Sequence, residues 1–282
     1  MGEADSSRAS QTLELADSLE GASDENAEGD ATGYERYGIA KPILLSHKAD
    51  LAAFLERQLR QFQAVLLVPG NHEAYHSTWP RTLDILRSLE EDVNARRAAG
   101  DAALGELVVL DRGAYRLPGP SGTVILGCSL FLYVPPERAV AASMGMSDFY
   151  QIGDGWDVPA HNRAHARDLA WLNEAVVTLD DHRSNDVRTI LIVTHWCPSL
   201  DGRARDPQHT SDALTSAFAT DLSNEACFRA PKVKAWGFGH THHNCDFVVE
   251  RGDGSAAPLR LVTNQRGYYF SQAAGYDNDK TL

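Results

Sequence analysis

The chain has 282 residues, 43% of them hydrophobic, which suffices for one enzyme-sized domain with a substantial core. Its formal net charge of -13 excludes general affinity for nucleic-acid backbones and anionic membranes, because both require basic patches. No apolar run approaches the roughly 18 residues of a membrane span, the acidic N-terminus lacks a signal peptide's basic-then-apolar order, and the four cysteines are widely spaced without a C-x-x-C pair; the expectation is a cytoplasmic protein without a disulfide framework.

Residues 1–33 are rich in Asp, Glu, Ser, Ala and Gly and poor in bulky apolar side chains, so they are expected to be a disordered acidic segment, with 34–282 as the folded domain. "KPILLSH" has the apolar run of a strand. After it, Leu51, Phe54, Leu55, Leu59 and Phe62 recur at helical spacing. "AVLLV" reads as a strand covered on both faces, and "TLDILRSLEEDVNARRAA" as a second amphipathic helix. "LVVLDRG", "AYRLPG" and "TVILGCSLFLYV" read as strands separated by Gly and Pro turns. "AHNRAHARDLAWLNEAVVTL" is helical, with Leu169, Leu172, Val176 and Leu179 on one side. His161 and His165, four apart on this helix, are assigned to its solvated face rather than to a metal pair. The strand "TILIVTHW", a short helix through "SDALTSAFA" and the strand "VKAWGFGHTHH" follow. "DFVVERGDGSAAPLRLVTNQRGYY" is expected to be a hairpin turning at Gly252 to Gly254. Such an order of strands and helices suggests a layered α/β sandwich with helices outside packed sheets.

Three apolar strands end in polar loops of one kind: "LLVPGNHE", "ILIVTHWCP" and "WGFGHTHH". Strand carboxyl ends in α/β folds converge on a ligand crevice, so Asn71, His72, His195, His240 and His242 are expected to face one place. Neutral imidazole and an amide oxygen form a mixed N/O donor set that favours Zn, Mn or Fe over Ca. His240 and His242 lie two positions apart: an extended backbone would direct both to one side, whereas a turn after Gly239 would direct them at two adjacent metals. His72 need not be a ligand and is suited to giving a proton to a leaving oxygen. "NQRGYY" places Asn264, Arg266 and Tyr268 at the mouth of the site, with Arg266 as the partner of a substrate oxyanion. Neither a G-x-S-x-G elbow nor a G-x-x-x-x-G-K-[ST] loop occurs, which argues against a serine hydrolase and a P-loop enzyme.

The ordered set "GNHE" at 70–73, "TH" at 194–195 and "GHTH" at 239–242 resembles the calcineurin-like metallophosphoesterases. The likeness extends through "LGCSLF", "MSDFYQI" and the final "NQRGYY", from about residue 40 onwards. It implies a four-layer αββα sandwich of the metallo-dependent phosphatase type. It also implies a site with two divalent metals (Mn, Fe or Zn) that hydrolyses a small phosphomonoester or phosphodiester by hydroxide attack. By motif, Asn71, His195 and His240 would hold the second metal and His242 the first, with His72 protonating the leaving group. Two motifs of the family are not found: no D-x-H precedes Gly70, and the one Gly-Asp there, Gly29-Asp30, follows no apolar strand. His47, Asp50 and Asp30 are the available substitutes for the bridging carboxylate. Without one, a single metal would be retained. A member that has lost these motifs and an N-terminal sequence mistranslated from its gene are the two explanations. The alternative function is a catalytically silent relative that binds a ligand or partner.

Overall fold

The computed structural model describes residues 43–181, 186–207, 219–251, 257–268 and 271–281, with residues 43–47, 268 and 271 described by backbone alone. The expected disordered segment 1–33, Asp30, the helix through "SDALTSAFA" up to Phe218 and the hairpin tip at Gly252 to Gly254 lie outside the described residues.

Residues 43–59 form one helix, α1 (Ile43–Leu59), so the strand expected at "KPILLSH" is replaced by a helical turn. Periodicity cannot separate a three-residue apolar run from buried helix, and no Gly or Pro breaks the chain between Ile43 and the helical stripe that follows. Leu51, Leu55 and Leu59 are its buried face. Strand β1 (Ala64–Leu67) leads through the loop at Asn71 to α2 (Trp79–Ala98), whose first turn is capped by the Thr78 hydroxyl accepting from Arg81 N and started by Pro80. Then come β2 (Glu106–Val109), β3 (Gly113–Arg116) and β4 (Thr123–Cys128). The strand expected through "SLFLYV" stops at Cys128. Leu130 takes a left-handed φ of 58° and donates its N–H to Asp168 Oδ2 at 3.0 Å rather than to a neighbouring strand.

Short helices α3 (Ala139–Gly145) and α4 (Asp148–Gln151) precede the long α5 (Val158–Asp180), which the Asp157 carboxylate caps by accepting from Ala160 N. The chain continues through β5 (Thr189–Thr194), α6 (Ala226–Arg229), β6 (Val233–Phe238), β7 (Asp246–Val249) and β8 (Leu259–Val262), ending in the ribbon β9 (Gly267–Tyr268) and β10 (Ser271–Gln272).

Strands β1 and β2 pair in parallel. The larger sheet has the order β3-β4-β5-β6-β8-β7, parallel in its centre and antiparallel at both edges, and β7–β8 is the expected hairpin. Alternation along each strand explains the stacking. Leu67, Leu107 and Val65 meet Leu51, Leu55, Ile85 and Leu86 of α1 and α2. The opposite faces, Leu66 and Val108, meet Ile125, Leu191 and Val193 of the larger sheet around Leu110. Beyond that sheet, Leu126, Ile190, Ile192 and Trp236 pack on Leu172 and Val176 of α5. The result is α, β, β, α: the four-layer sandwich. Gly127 allows the sheets to approach, since a Cβ there would lie 2.6 Å from Leu110 Cδ1.

Candidate metal centre

Three strand ends build the site. After β1, Gly70 N donates to Glu73 Oε2 at 2.8 Å and Ala74 N to Asn71 O at 3.1 Å, closing a single 3-10 turn that buries the Asn71 side chain. After β5 comes His195, buried, with a ring so near the first loop that a Cβ on Gly70 would stand 2.7 Å from it. Because β6 is β5's parallel neighbour, Gly239 N donates to His195 O at 3.0 Å, which places His240 beside His195. His240 has a φ of 66° and His242 one of 49°. Thr241 N donates to Gly239 O at 2.8 Å across His240, the hydrogen-bond pattern of a strained γ-turn. Such strain persists only where the surroundings enforce it, and it gathers at functional sites. Of the two geometries open for "GHTH", the chain takes the turn.

His195 Nε2 lies 2.8 Å from Asn71 Oδ1 and 3.2 Å from His240 Nδ1. A cation about 2.1 Å from its N and O donors separates neighbouring donors by about 3.0 Å at right angles and about 3.4 Å in a tetrahedron. The two spacings measured from His195 Nε2 thus match those of neighbouring donors around one divalent ion. Burial, reinforced by the nearby imidazoles of His72 and His242, holds the pKa of His195 down to about 3, so its ring is neutral, as a ligand must be. His242 thus stands close enough to bear on His195; its backbone N donates to Gln265 Oε1 at 2.8 Å. Among the described residues, no group of three His, Cys, Asp or Glu side chains is placed to hold a metal ion, so any three-donor set here depends on the Asn71 amide oxygen. Asp50 is exposed on α1 and the side chain of His47 lies outside the described residues.

His72 is half-buried and packs its ring on Tyr75, with centroids 4.6 Å apart. Trp196 walls the site on the far side, its ring against His240. Arg266 is exposed, with its carbonyl accepting from Ala273 N. Asn264 binds Asp277 of the tail through its amide and carbonyl groups, and the side chain of Tyr268 lies outside the described residues.

Sequence reasoning missed two participants. Gln265, fully buried, binds Thr241 Oγ1 and His243 O through Nε2 while its Oε1 receives His242 N, clamping the strained "GHTH" turn. Its signal was its place between Asn264 and Arg266 in "NQRGYY". Asp148, in "MSDFYQI", is buried beside Asn71, 77 positions away in the chain; Oδ1 accepts from Asn71 Nδ2 at 2.7 Å and from Tyr75 OH at 2.8 Å. Burial raises its pKa against the opposing effect of those two hydrogen bonds and of nearby His72. One expectation is reversed: His161 and His165 are buried, not solvated. The reason is that Phe131, Phe149, Trp156 and Trp196 pack around the His161 ring, while the His165 ring meets Phe131 O.

The chain is thus a four-layer α/β sandwich in which Asn and His side chains from three strand ends meet at one rim. The calcineurin-like phosphoesterase family model matches residues 29–244, well over half of the chain, and the protein belongs to that family. No curated protein and no solved structure gives a match.

Proposed function

We propose that the protein hydrolyses small phosphate esters at a divalent ion held by Asn71, His195 and His240. The observation that carries this reading is that His195 Nε2 has Asn71 Oδ1 at 2.8 Å and His240 Nδ1 at 3.2 Å, at the strand ends of a calcineurin-like phosphoesterase fold. The mixed N/O set suits Mn, Fe or Zn. By its motif, His242 is the imidazole for the family's other metal. When bound, the ion supplies Lewis-acid polarisation of a phosphoryl oxygen and acidifies water. His72, held by the Tyr75 ring, carries the proton for the leaving oxygen. Arg266, exposed beside the clamped "GHTH" turn, meets the substrate's phosphoryl oxygens from solvent. Phosphomonoesters and phosphodiesters both fit this chemistry.

The cytoplasm suits the reading. The four cysteines are free thiols, the net charge is -13, and among the described residues no helix is long and apolar enough to cross a membrane.

A second reading, a silent relative that binds a ligand through one ion, is favoured by the neutrality of the donor set. The carboxylate oxygen bonded to Asn71, Asp148 Oδ1, is engaged by Asn71 and Tyr75 rather than offered to an ion. One experiment separates the two. The full chain is dialysed against chelator and titrated with Mn²⁺ while its melting temperature and its hydrolysis of an aryl phosphate and the corresponding diester are followed. The enzyme reading expects Mn²⁺ to raise the melting temperature and to switch on turnover, with both effects abolished in His240→Ala. A melting shift without turnover of either ester supports the silent relative; neither effect overturns both readings.

A further inference from the structure

We infer that Asp148 is the positioning residue of this centre: by accepting from the Asn71 amide and the Tyr75 hydroxyl, it directs Asn71 Oδ1 at the metal position and fixes the Tyr75 ring behind His72. The inference rests on the proposed metal site and adds to it a residue outside the donor set.

An asparagine amide has a donor end and an acceptor end, and only the acceptor end can bind a cation. Asp148 Oδ1 also accepts from the Tyr75 hydroxyl at 2.8 Å, so it meets the amide as an acceptor. With Asp148 Oδ1 at 2.7 Å from Asn71 Nδ2, the opposite orientation would bring two acceptors together, so the amide oxygen must face His195, where it is found at 2.8 Å. Tyr75 closes the arrangement. Its hydroxyl receives a second bond from Asn71 Nδ2 at 3.1 Å and donates to Asp148 at 2.8 Å, while its ring packs on His72. One carboxylate therefore sets both the proposed ligand and the proposed proton donor.

The carboxylate is itself held rigidly. The α4 segment is pinned to the chain after the Asn71 loop by His76 N donating to Gln151 O at 2.6 Å and Gly153 N to Ser77 O at 2.7 Å. Stability alone does not account for Asp148, because its Oδ2 is buried with no hydrogen-bond partner among the described residues, an arrangement that costs folding free energy. Orientation of a ligand does account for it, as groups behind metal ligands commonly act in this way.

The test is calorimetric titration of Mn²⁺ into the full chain after removal of metals, for the wild type, Asp148→Ala, Asp148→Asn and Tyr75→Phe. Asp148→Ala is expected to raise the Mn²⁺ dissociation constant about 10–100-fold. Asp148→Asn retains an acceptor but not the charge-assisted bond, so a rise of about three- to tenfold is expected. Tyr75→Phe is expected to fall between Asp148→Asn and the wild type. The melting temperature of metal-free Asp148→Asn, which keeps the shape and an acceptor for both donors, should remain near that of the wild type, which separates orientation from a merely structural role. Wild-type affinity in both Asp148 variants overturns this inference and leaves the metal site standing. Failure of the wild type to take up Mn²⁺ overturns the metal reading, and this inference with it. Should Asp148→Ala not fold, Asp148→Asn decides by the same criterion.

Discussion

At Gly70 a hydrogen atom takes the place of any side chain because the loop after β1 runs directly against His195. A Cβ there would lie 2.7 Å from both Cε1 and Nδ1 of that ring and 2.9 Å from Glu73 Oε2. Neither neighbour can withdraw cheaply: His195 is buried at a strand end, and Glu73 Oε2 already receives Gly70 N. Gly70→Ala is therefore expected to push the His195 ring away from Asn71 and His240. Stability should fall by about 1–3 kcal/mol, the usual range for overpacking, and Mn²⁺ affinity should fall at least about tenfold, as for lost ligand support. Calorimetric titration beside urea unfolding measures both. Wild-type affinity would show that the loop relaxes without moving the ligand.

At the scale of elements, α5 is an outer-layer helix that buries one face and leaves Arg163, Arg167 and Val177 exposed on the other. One face carries Leu172 and Val176 onto the larger sheet. Near its start His161 enters the aromatic cluster of Phe131, Phe149, Trp156 and Trp196. Between them Asp168 ties the helix to the loop after β4, accepting from Arg112 at 2.9 Å and Leu130 N at 3.0 Å. Burial, and then the neighbouring imidazole of His165, holds His161 down to about pH 3, whereas in an unfolded chain it titrates near about 6.5. Below that value the unfolded state takes up a proton that the folded state refuses. The stability contributed by a neutral His161 is thus complete above about pH 6.5 and is lost as the pH falls toward about 3, with a slope approaching about 1.4 kcal/mol per pH unit. His165 and His195, shifted in the same direction by burial, add to the slope. His161→Phe is expected to remove one histidine's share, seen as a smaller difference between urea midpoints at pH 7.5 and pH 5. An unchanged difference would mean that His161 is not buried neutral.

At the scale of the whole molecule, the site exists because two sheets are stacked so that strand ends from both meet. Asn71 follows β1 of the smaller sheet; His195 and His240 follow β5 and β6 of the larger. Leu110, fully buried, sits at the centre of the layer between them, against Ile125, Val193 and the bare backbone of Gly127. Leu110→Ala is expected to cost about 2–5 kcal/mol through lost burial and the cavity left behind, measurable as a lowered urea midpoint. By loosening the sheet-to-sheet register it should also weaken Mn²⁺ binding, whereas an equally destabilising cavity under α5 should not. Equal effects from both cavities would count against coupling between the sheets and the site.

Much of this was legible because it is periodic or local. The Leu51, Leu55 and Leu59 stripe, the Leu172 and Val176 face of α5, and the strands ending before Asn71, His195 and His240 follow from repeating patterns that the backbone geometry of helix and strand imposes. "KPILLSH" misled because three apolar residues have no period, and His161 misled because charge and polarity along a helix do not disclose which rings will close over it. The roles of Asp148 and Gln265 were not legible even though both stand in motifs of the family likeness: each acts on a residue more than 20 positions away, through a contact made only when separate loops are packed together. The sequence by itself determined which residue types stand at the strand ends and the family to which they belong. Tertiary structure alone decided which donors face one another, since hydrogen-bond distances across the layers depend on how the two sheets stack, and no local pattern specifies that.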